Sequence, residues 1–347
     1  MKSLSIIILT YNSEKDIYSC LDSVYQHNDI GEALEVIVVD NQSDDFAAMQ
    51  QEIAKRYPEV IITQNTHNGG YGQGNNVGIR MAHTPIIAIM NPDVRLTKPV
   101  FNDMLKAFEN EDIVMCGGKQ LTADGNENWS FAFDYNVWGP LRIVLRNIYK
   151  RISKYDYRYM HLSGAFFMVR KKEFEDIGMF DESIFMYGEE CDIHMRFRKM
   201  YPSKKMLFMP QISYLHLSRE REFSTKRYQN TISADLYVCR KHNLSTSSYL
   251  IGAKFAVIMC YLRAIIQRDN NVKTYTPLQL SVINKIKKDL VSLGYDEDEI
   301  KESIESIDND IWLDKVQKIV NKKIKSNRNL GSNKLKEKLV YDLSNIG

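Results

Sequence analysis

An apolar run that ends abruptly in polar residues, Ile86 to Asp93 (IIAIMNPD), constrains the fold of this chain more than any other stretch. Consecutive apolar residues without alternation predict a strand that is buried on both faces, as in the parallel sheet of an α/β domain. Pro92 has no N–H group and disfavours helix at Asn91, so the strand must end there. Asp93 then lies at the carboxyl end of a buried strand, where open α/β sheets bind ligands. Asn, Pro and Asp are also ordinary turn residues, so a simple turn is the alternative.

The same pattern occurs three times earlier in the chain. Leu4 to Thr10 and Glu35 to Val39 are apolar runs that end in polar residues, and a third strand is predicted near Val60 to Thr63. Helical stretches separate these strands, and Ser13 is the expected N-cap of the first helix. Strands that alternate with helices predict a parallel, doubly wound α/β sheet.

A glycine-rich segment, residues 68–78 (NGGYGQGNNVG), precedes the Ile86 strand. Its glycines would let the backbone approach a phosphate or ribose closely, and Asn75 and Asn76 could bond sugar hydroxyls. The segment has neither the spacing of a P-loop nor G-x-G-x-x-G. A flexible loop before a helix is the alternative, but the position between two strands with polar ends favours ligand binding.

Length, charge and cysteine usage narrow the class of protein. The 347 residues suffice for one large α/β domain and an appendage, and a net charge of +2 gives no indication of nucleic acid as a partner. The five cysteines are odd in number and contain no C-x-x-C, which indicates free thiols in a reducing compartment. Met1 to Ser3 run directly into a strand without the apolar region of a signal peptide. We therefore expect a cytoplasmic protein.

A second group of carboxylates lies in the phrase YGEECDI, where Glu189, Glu190 and Asp192 fall within four residues. Carboxylates this close repel one another, which argues against a purely stabilising role. Acidic residues also favour the first turn of a helix, so a charged helix N-terminus is an alternative that does not exclude chemistry.

The chain contains, in this order, the phrases TYN, VVDNQSDD, NGGYGQGNNVG, NPD, GMFDE and YGEECDI. Together these phrases resemble family 2 glycosyltransferases of the GT-A fold. The resemblance implies a Rossmann-like, doubly wound mixed sheet, followed in this chain by an all-α C-terminal appendage. It also implies a nucleotide-sugar donor. The residues that it assigns to the donor are Thr10, Tyr11, Asn12 and Asp40 around the base, Asn41 and Ser43 beside the nucleoside, Asn68, Gly70 and Asn75 over the ribose and diphosphate, and Asn91 near the metal.

The resemblance further implies a divalent cation, Mg²⁺ or Mn²⁺. Asp93 occupies the position of the metal-binding Asp of the family's D-x-D motif, with Asn91 in place of the first Asp. His216 follows another apolar stretch, at a position where the family commonly has a His that contacts the metal or diphosphate. Mg²⁺ usually takes only one or two protein carboxylates, so Asp93 alone would suffice. Arg219 and Arg221 could assist the phosphates, and a plain basic loop is the alternative.

The catalytic base implied by the resemblance is Glu190, where the family usually has Asp. Glu reaches one methylene further, so Glu189 and Asp192 are rival candidates. A base here would deprotonate an acceptor hydroxyl opposite the leaving diphosphate, and a single displacement inverts the anomeric configuration.

The donor and acceptor are expected from the same resemblance. The NPD variant is common in the rhamnosyltransferase-like branch, which implies rhamnose transfer from dTDP-rhamnose to a cell-envelope saccharide or lipid-linked acceptor. A UDP-hexose donor is the alternative within the fold. A nucleotide-sugar-binding module without activity, with the tail as its working part, is the alternative from another class.

The segment from Arg142 to Arg158 has apolar residues at helical spacing and a basic residue every four positions. A basic amphipathic helix can lie on an anionic membrane or grip an acceptor's pyrophosphate, and a solvated basic face is the alternative. Peripheral contact with the inner face of the cell membrane is therefore expected.

The C-terminal third has a different composition. Tyr249 to Ile266 is mostly apolar, but Lys254 and Arg263 interrupt it, so we expect a packed or interfacial helix more than a membrane span. Residues 293–320 are similar to repeats of RecX-type regulatory proteins, and a docking or oligomerisation domain is the alternative. The expected domains are a GT-A catalytic domain (1–245), an apolar helix and linker (246–272) and a helical tail (273–347).

Overall fold

A computed structural model describes residues 2–151, 154–217 and 223–292 of the chain. The chain divides into two compact units, Met1–Ala256 and Val257–Gly347. The first unit contains the whole sheet and is the α/β domain predicted from the strand pattern. The described part of the second unit is helical. The repeat-like tail from residue 293 onward, and with it the resemblance to RecX-type proteins, lies outside the described residues.

The strands of the described residues follow the predicted apolar runs. In chain order they are β1 Leu4–Thr10, β2 Leu34–Asp40, β3 Ile61–Gln64, β4 Ile86–Met90, β5 Val94–Leu96, β6 Ile113–Leu121, β7 Phe131–Phe133, β8 Met160–Leu162, β9 Phe166–Arg170 and β10 Lys205–His216.

The helices of the described residues lie between and after these strands. They are α1 Glu14–Gln26, α2 Phe46–Arg56, α3 Gly70–Met81, α4 Phe101–Ala107, α5 Gly139–Arg151, α6 Lys171–Asp176, α7 Glu189–Met200, α8 Thr225–Lys241, α9 Thr246–Gln267 and α10 Asn270–Ser292.

Eight strands form one mixed sheet in the order β3-β2-β1-β4-β9-β6-β10-β5. β1 pairs in parallel with β2 and β4, while β9 runs antiparallel to both β4 and β6. The expected doubly wound mixed sheet is therefore confirmed. β7 and β8 form a separate antiparallel pair. Residues 163–165 form a loop between β8 and β9, so Ser163 and Gly164 lie just before the strand that begins at Phe166.

The central strands are buried on both faces, as their unalternating apolar sequences predict. In β4, Ile86, Ala88 and Met90 belong to the core on one face, and Ile87 and Ile89 to the core on the other. Because both faces are covered, the polar groups at the carboxyl ends of the strands mark the edge at which a ligand can approach.

The glycine-rich segment forms helix α3 from Gly70 onward, whereas the alternative prediction for it was a flexible loop before a helix. Gly74 and Gly78 of α3 pack so closely on β1 that an added Cβ would lie 2.4 Å from Leu9 Cδ1 and 2.5 Å from Ile7 Cγ2, respectively. These glycines therefore allow a helix to lie close to the sheet. Only Gly70, with φ +88°, needs the conformational freedom of glycine at the start of the helix.

Two helices begin or end differently from their prediction. Ser13 occupies the N-cap position of α1, but its hydroxyl bonds to Tyr11 and does not cap the helix. α5 ends at Arg151, so the predicted basic face does not extend to Arg158 as one helix. Residues 152 and 153 lie outside the described residues, and Lys154 lies in irregular structure.

Among the described residues, one helix, α9, is long and apolar enough to cross a membrane by its length and composition. Core helices of soluble proteins also meet this criterion.

Candidate active site

Asp93 and His216 lie side by side because the strands next to them pair. β5 begins immediately after Asp93, and its first residue Val94 pairs with His216 at the end of β10. His216 Nε2 lies 3.2 Å from Asp93 Oδ1. Burial by itself raises the pKa of Asp93, but the hydrogen bond and charge of His216 outweigh it and lower the pKa below its usual value. The sequence-predicted metal ligands, 123 positions apart (216 − 93), are therefore neighbours.

The residues at this point fit a divalent cation. His216 Nδ1 is buried and has no hydrogen-bond partner among the residues that the structure describes. A carboxylate and an imidazole are both metal ligands, and phosphate and water can complete a Mg²⁺ or Mn²⁺ shell. Asn91 lines the cleft that also contains Asp93 and His216, and its N–H donates to Ala165 O at 2.9 Å.

Glu190 lies in the first turn of α7 and points toward the loop between β8 and β9. The backbone N–H of Gly164 donates to Glu190 Oε1 at 3.2 Å. An added Cβ at Gly164 would lie only 2.3 Å from the same oxygen. A glycine at this position therefore makes room for a Glu, whose side chain is one methylene longer than the Asp that the resemblance leads us to expect.

Glu189 lines the same cleft as Glu190, but the surroundings of its side chain differ from those of Glu190. Its side chain is buried and Oε1 has no hydrogen-bond partner. Burial, and then the charge of Glu190, raise the pKa of Glu189 well above its usual value, which favours the neutral form. A neutral carboxyl beside Glu190 is a poor base, so Glu190 is the better candidate of the two.

Asp192 is not suited to act as the base, which corrects its place among the candidates. It is fully buried, Oδ2 accepts from Arg196 Nη2 at 2.7 Å, and Oδ1 accepts from His242 Nε2 at 2.8 Å. Burial alone raises the pKa of Asp192, but His242, Arg196 and Lys241 lower it well below its usual value. Asp192 therefore anchors α7 to α8 and does not border the cleft.

The candidate metal ligands and the candidate base share one cleft of about 570 Å³. Its lining includes Asp93 just before β5, His216 at the end of β10, and Glu189 and Glu190 at the start of α7. Tyr71 of α3 closes part of it by donating to Gly164 O at 2.8 Å. A cleft of this size is within the range of small-molecule sites.

The residues predicted around the nucleoside gather at the carboxyl ends of β1 and β2. Thr10 pairs with Asp40 across the two strands, and Tyr11, just beyond, is exposed. Asn12 N–H donates to Ser43 Oγ at 2.7 Å, which joins the two loops. This group borders the sheet edge that contains Asp93, but its members do not line the 570 Å³ cleft.

Asp40 itself is fully buried, contrary to its predicted contact with the base. Its Oδ1 accepts from Thr10 Oγ1 at 3.1 Å, and its Oδ2 accepts from Ser43 N at 2.9 Å and Gln64 Nε2 at 3.1 Å. With both oxygens occupied, Asp40 holds the loop around Ser43 in place.

Asn41 and its neighbours also form hydrogen bonds mainly with one another. Asn41 Nδ2 donates to Gly70 O at 2.9 Å and to Asn68 Oδ1 at 3.2 Å. Asn75 is buried and donates to Tyr71 O at 2.9 Å, while its Oδ1 has no partner. Asn41, Asn68 and Gly70 thus fix the start of α3 beside the end of β2. Asn75 Oδ1 is the free polar atom of the group.

A third group, Asp134, His161 and Cys191, has the spacing of a metal site but the contacts of a structural ion pair. Asp134 Oδ1 accepts from His161 Nδ1 at 2.8 Å, and its other oxygen is bonded to Arg198. A guanidinium at the carboxylate opposes a cation there. Burial also raises the pKa of the Cys191 thiol well above its usual value, which disfavours the thiolate that binds metals.

His194 is a site residue that the sequence analysis missed. It is buried one turn after Glu190, with Nδ1 2.7 Å from Glu190 O, and its Nε2 accepts from Leu162 N at 3.1 Å. This places His194 between the candidate base and the strand that leads to Gly164. The i, i+4 spacing from Glu190 was a visible signal, but the contact with Leu162 spans 32 residues and has no local signature.

Comparison with known proteins agrees with this geometry. The pattern of the family described as "Glycosyl transferase family 2" matches residues 5–178, which is half of the chain. The chain belongs to this family. It is a glycosyltransferase by family, and the matched residues contain Asp40, Asp93 and Gly164 but end before Glu190.

Two curated relatives show the same class. The "Uncharacterized glycosyltransferase YfnE" of Bacillus subtilis is 26% identical over 283 residues, which are 69% of this chain and 70% of the relative. The "Low-salt glycan biosynthesis hexosyltransferase Agl10" of Haloferax volcanii is 26% identical over 206 residues, which are 57% of this chain and 62% of the relative. The chain thus spans less than two thirds of the second relative.

A solved structure supports the fold. The mannosyltransferase PcManGT from Pyrobaculum calidifontis, in complex with GDP-Man and Mn²⁺, has a TM-score of 0.55 at 15% identity and covers 83% of this chain and 86% of its own. The likeness confirms the expected GT-A fold.

Proposed function

We propose that this glycosyltransferase is metal-dependent and inverting, and that it transfers a hexose from a nucleotide sugar to a glycan or lipid-linked acceptor. The observation that carries the proposal is the shared cleft, which Asp93, His216 and Glu190 all line. Metal-dependent sugar transfer by a single displacement needs a cation at the leaving diphosphate and a base at the acceptor hydroxyl.

Each residue then has a defined role. Asp93 and His216 would hold Mg²⁺ or Mn²⁺, which when bound offsets the negative charge that develops on the diphosphate. Glu190 would take the proton of the acceptor hydroxyl as its oxygen forms the bond to the anomeric carbon. The bond to the nucleoside diphosphate breaks at the same time, and its electron pair leaves with the diphosphate. Attack opposite the leaving group inverts the anomeric configuration.

The donor is the least constrained part of the proposal. We propose dTDP-rhamnose from the NPD phrase at Asn91 to Asp93, with a UDP-hexose as the alternative. The hexosyltransferase name of the Haloferax relative supports a hexose in general. The mannosyltransferase was solved with GDP-Man, so a GDP-linked donor belongs in the test.

The setting of the reaction is also a proposal. A cell-envelope glycan as product is supported by the glycan-biosynthesis name of a relative, and it calls for a cytoplasmic enzyme that works beside the membrane. A binding module without activity is disfavoured by Gly164, because the space at this glycine accommodates the longer Glu190 side chain.

A donor screen tests the proposal. Wild-type protein is incubated with Mn²⁺ and dTDP-rhamnose, UDP-hexoses or GDP-mannose, and release of the nucleoside diphosphate is measured with water as the acceptor. We expect slow, metal-dependent release from one donor class. Tight binding of a donor without release, in the presence of any tested saccharide, would favour the inactive binding module.

A further inference from the structure

An exposed apolar patch lies at the start of α5 and includes Trp138, the residue just before the helix. Trp138 is 58% exposed, Leu141 45% and Val144 48%. Residues three apart on a helix lie on neighbouring parts of one surface, so the three side chains form one stripe. A tryptophan and two aliphatic side chains that are exposed together form an apolar patch, and such patches mark sites of interaction.

A second apolar surface adjoins this stripe. Gly139 of α5 and Gly252 of α9 pack against each other so closely that an added Cβ at Gly139 would lie 2.6 Å from Gly252 Cα. Within about one turn of this crossing, Ile251 and Phe255 of α9 are partly exposed. Ile251 and Phe255 of α9 therefore continue the apolar surface of α5.

The segment around the stripe carries strong positive charge. In sequence, residues 139–158 contain six Lys or Arg residues (Arg142, Arg146, Lys150, Arg151, Lys154 and Arg158) against one acidic residue, Asp156, although Arg142 turns inward onto two tyrosine rings. Lys154 is exposed, while Arg158 is paired with Asp156 at 2.7 Å. Positive charge beside exposed tryptophan and aliphatic side chains complements an anionic lipid surface, where a tryptophan ring also partitions favourably.

A series of contacts connects the stripe to the start of α7, where Glu190 lies. Arg142, one residue after Leu141, turns inward and lies over the rings of Tyr135 and Tyr249 at 4.9 and 5.3 Å. Both tyrosines donate to the buried carboxylate of Asp235 in α8. An added Cβ at Gly188, two residues before Glu190, would lie 3.4 Å from Asp235 Oδ1. A surface bound at α5 would therefore hold the base at a fixed position relative to it.

We infer that Trp138, Leu141 and Val144, with the adjoining part of α9, dock the enzyme on an anionic membrane surface. The inference rests on the proposed function only in its purpose, which is to present the cleft to an acceptor held at that surface. The binding itself requires neither donor nor metal.

Vesicle flotation tests the docking. The full chain is mixed with vesicles of phosphatidylcholine alone, or of phosphatidylcholine and phosphatidylglycerol in about a two-to-one ratio. We expect binding to the anionic vesicles only, weakened by added salt. Leu141→Ser/Val144→Ser should lower the apparent affinity by about tenfold or more, because two aliphatic side chains no longer enter the lipid.

The matched control is Met200→Ser/Leu207→Ser, which removes two apolar side chains that are 53% and 36% exposed on other elements. It should bind like wild type. Tryptophan quenching by brominated lipid should also decrease in Trp138→Phe. Absence of binding to anionic vesicles would overturn the inference, and so would equal binding by both double variants. A change from dimer to monomer in Leu141→Ser/Val144→Ser with unchanged vesicle binding would also overturn it, in favour of a second copy as occupant.

The vesicle-binding test and the donor-turnover test can each fail without the other. Metal-dependent release of the nucleoside diphosphate in solution should be the same in Leu141→Ser/Val144→Ser as in wild type. Vesicle binding without any donor turnover would contradict the proposed function and leave the docking intact. Turnover without vesicle binding would do the reverse.

Discussion

At the scale of single residues, the site depends on how Glu190 is held. The sequence indicated three candidate carboxylates, and the structure separates them by environment: Asp192 is ion-paired, Glu189 is buried without a partner for Oε1, and Glu190 borders the cleft beside Gly164. Such differences arise from side chains on other elements. The order of residues in YGEECDI therefore could not distinguish them.

Gly164→Ala should inactivate the enzyme without unfolding it. The added methyl would lie 2.3 Å from Glu190 Oε1 and displace the carboxylate, so we expect turnover to fall by about a hundredfold or more, the contribution of a well-placed base. Nucleoside diphosphate release and the melting temperature are measured together. Gly117→Ala is the control, because the nearest neighbour of its added methyl is the side chain of Leu162 at 3.2 Å and the methyl does not approach Glu190. Full activity in Gly164→Ala would contradict the placement of Glu190.

At the scale of elements, the strands were predicted from their sequence, whereas the packing of the glycine-rich segment on the sheet was not. Each central strand is an unbroken apolar run, and such a run indicates that both faces of the strand are buried. The glycines of α3 carry no side chain, so the sequence alone could not show whether they approach a ligand or a neighbouring strand. The structure shows the second, with Gly74 and Gly78 against Leu9 and Ile7.

Gly74→Ala should therefore destabilise the fold. Its methyl would meet Leu9 Cδ1 at 2.4 Å, and overpacking of this kind costs about 1–3 kcal/mol in the free energy of unfolding. Urea denaturation of wild type, Gly74→Ala and Arg80→Ala measures this, where Arg80 is an exposed residue of the same helix. Equal stability of Gly74→Ala and wild type would show that α3 does not pack on β1 in this way.

At the scale of the whole molecule, the strand pattern of the sequence predicted the fold class, and the family resemblance implied that Asp93 and His216 both lie near the metal. The sequence did not predict contacts that link separate elements, such as His194 with Leu162 or Arg142 with Tyr135. The expected division at residue 245 stays a prediction, and the two compact units divide at Ala256.

Stability should fall on acidification because of His194. Burial is the main cause that lowers its pKa from 6.5 to about 3 in the folded chain. The unfolded chain therefore binds one more proton between these values, and the free energy of unfolding decreases as the pH falls below about 6.5. From pH 7 to pH 5 we expect a loss of about 2 kcal/mol from this residue. His194→Gln, which can keep both hydrogen bonds, should show a smaller decrease in urea denaturation, and an unchanged pH dependence would contradict the assignment.

The central claim is that the cleft combines a metal site at Asp93 and His216 with a base at Glu190. Donor binding by calorimetry, with and without Mn²⁺, and turnover of the same donor test it most directly in Asp93→Asn and Glu190→Gln. We predict that Asp93→Asn loses the Mn²⁺-dependent part of donor binding, while Glu190→Gln binds donor like wild type but loses turnover by about a hundredfold or more. Wild-type metal-dependent binding in Asp93→Asn, or wild-type turnover in Glu190→Gln, would contradict the claim.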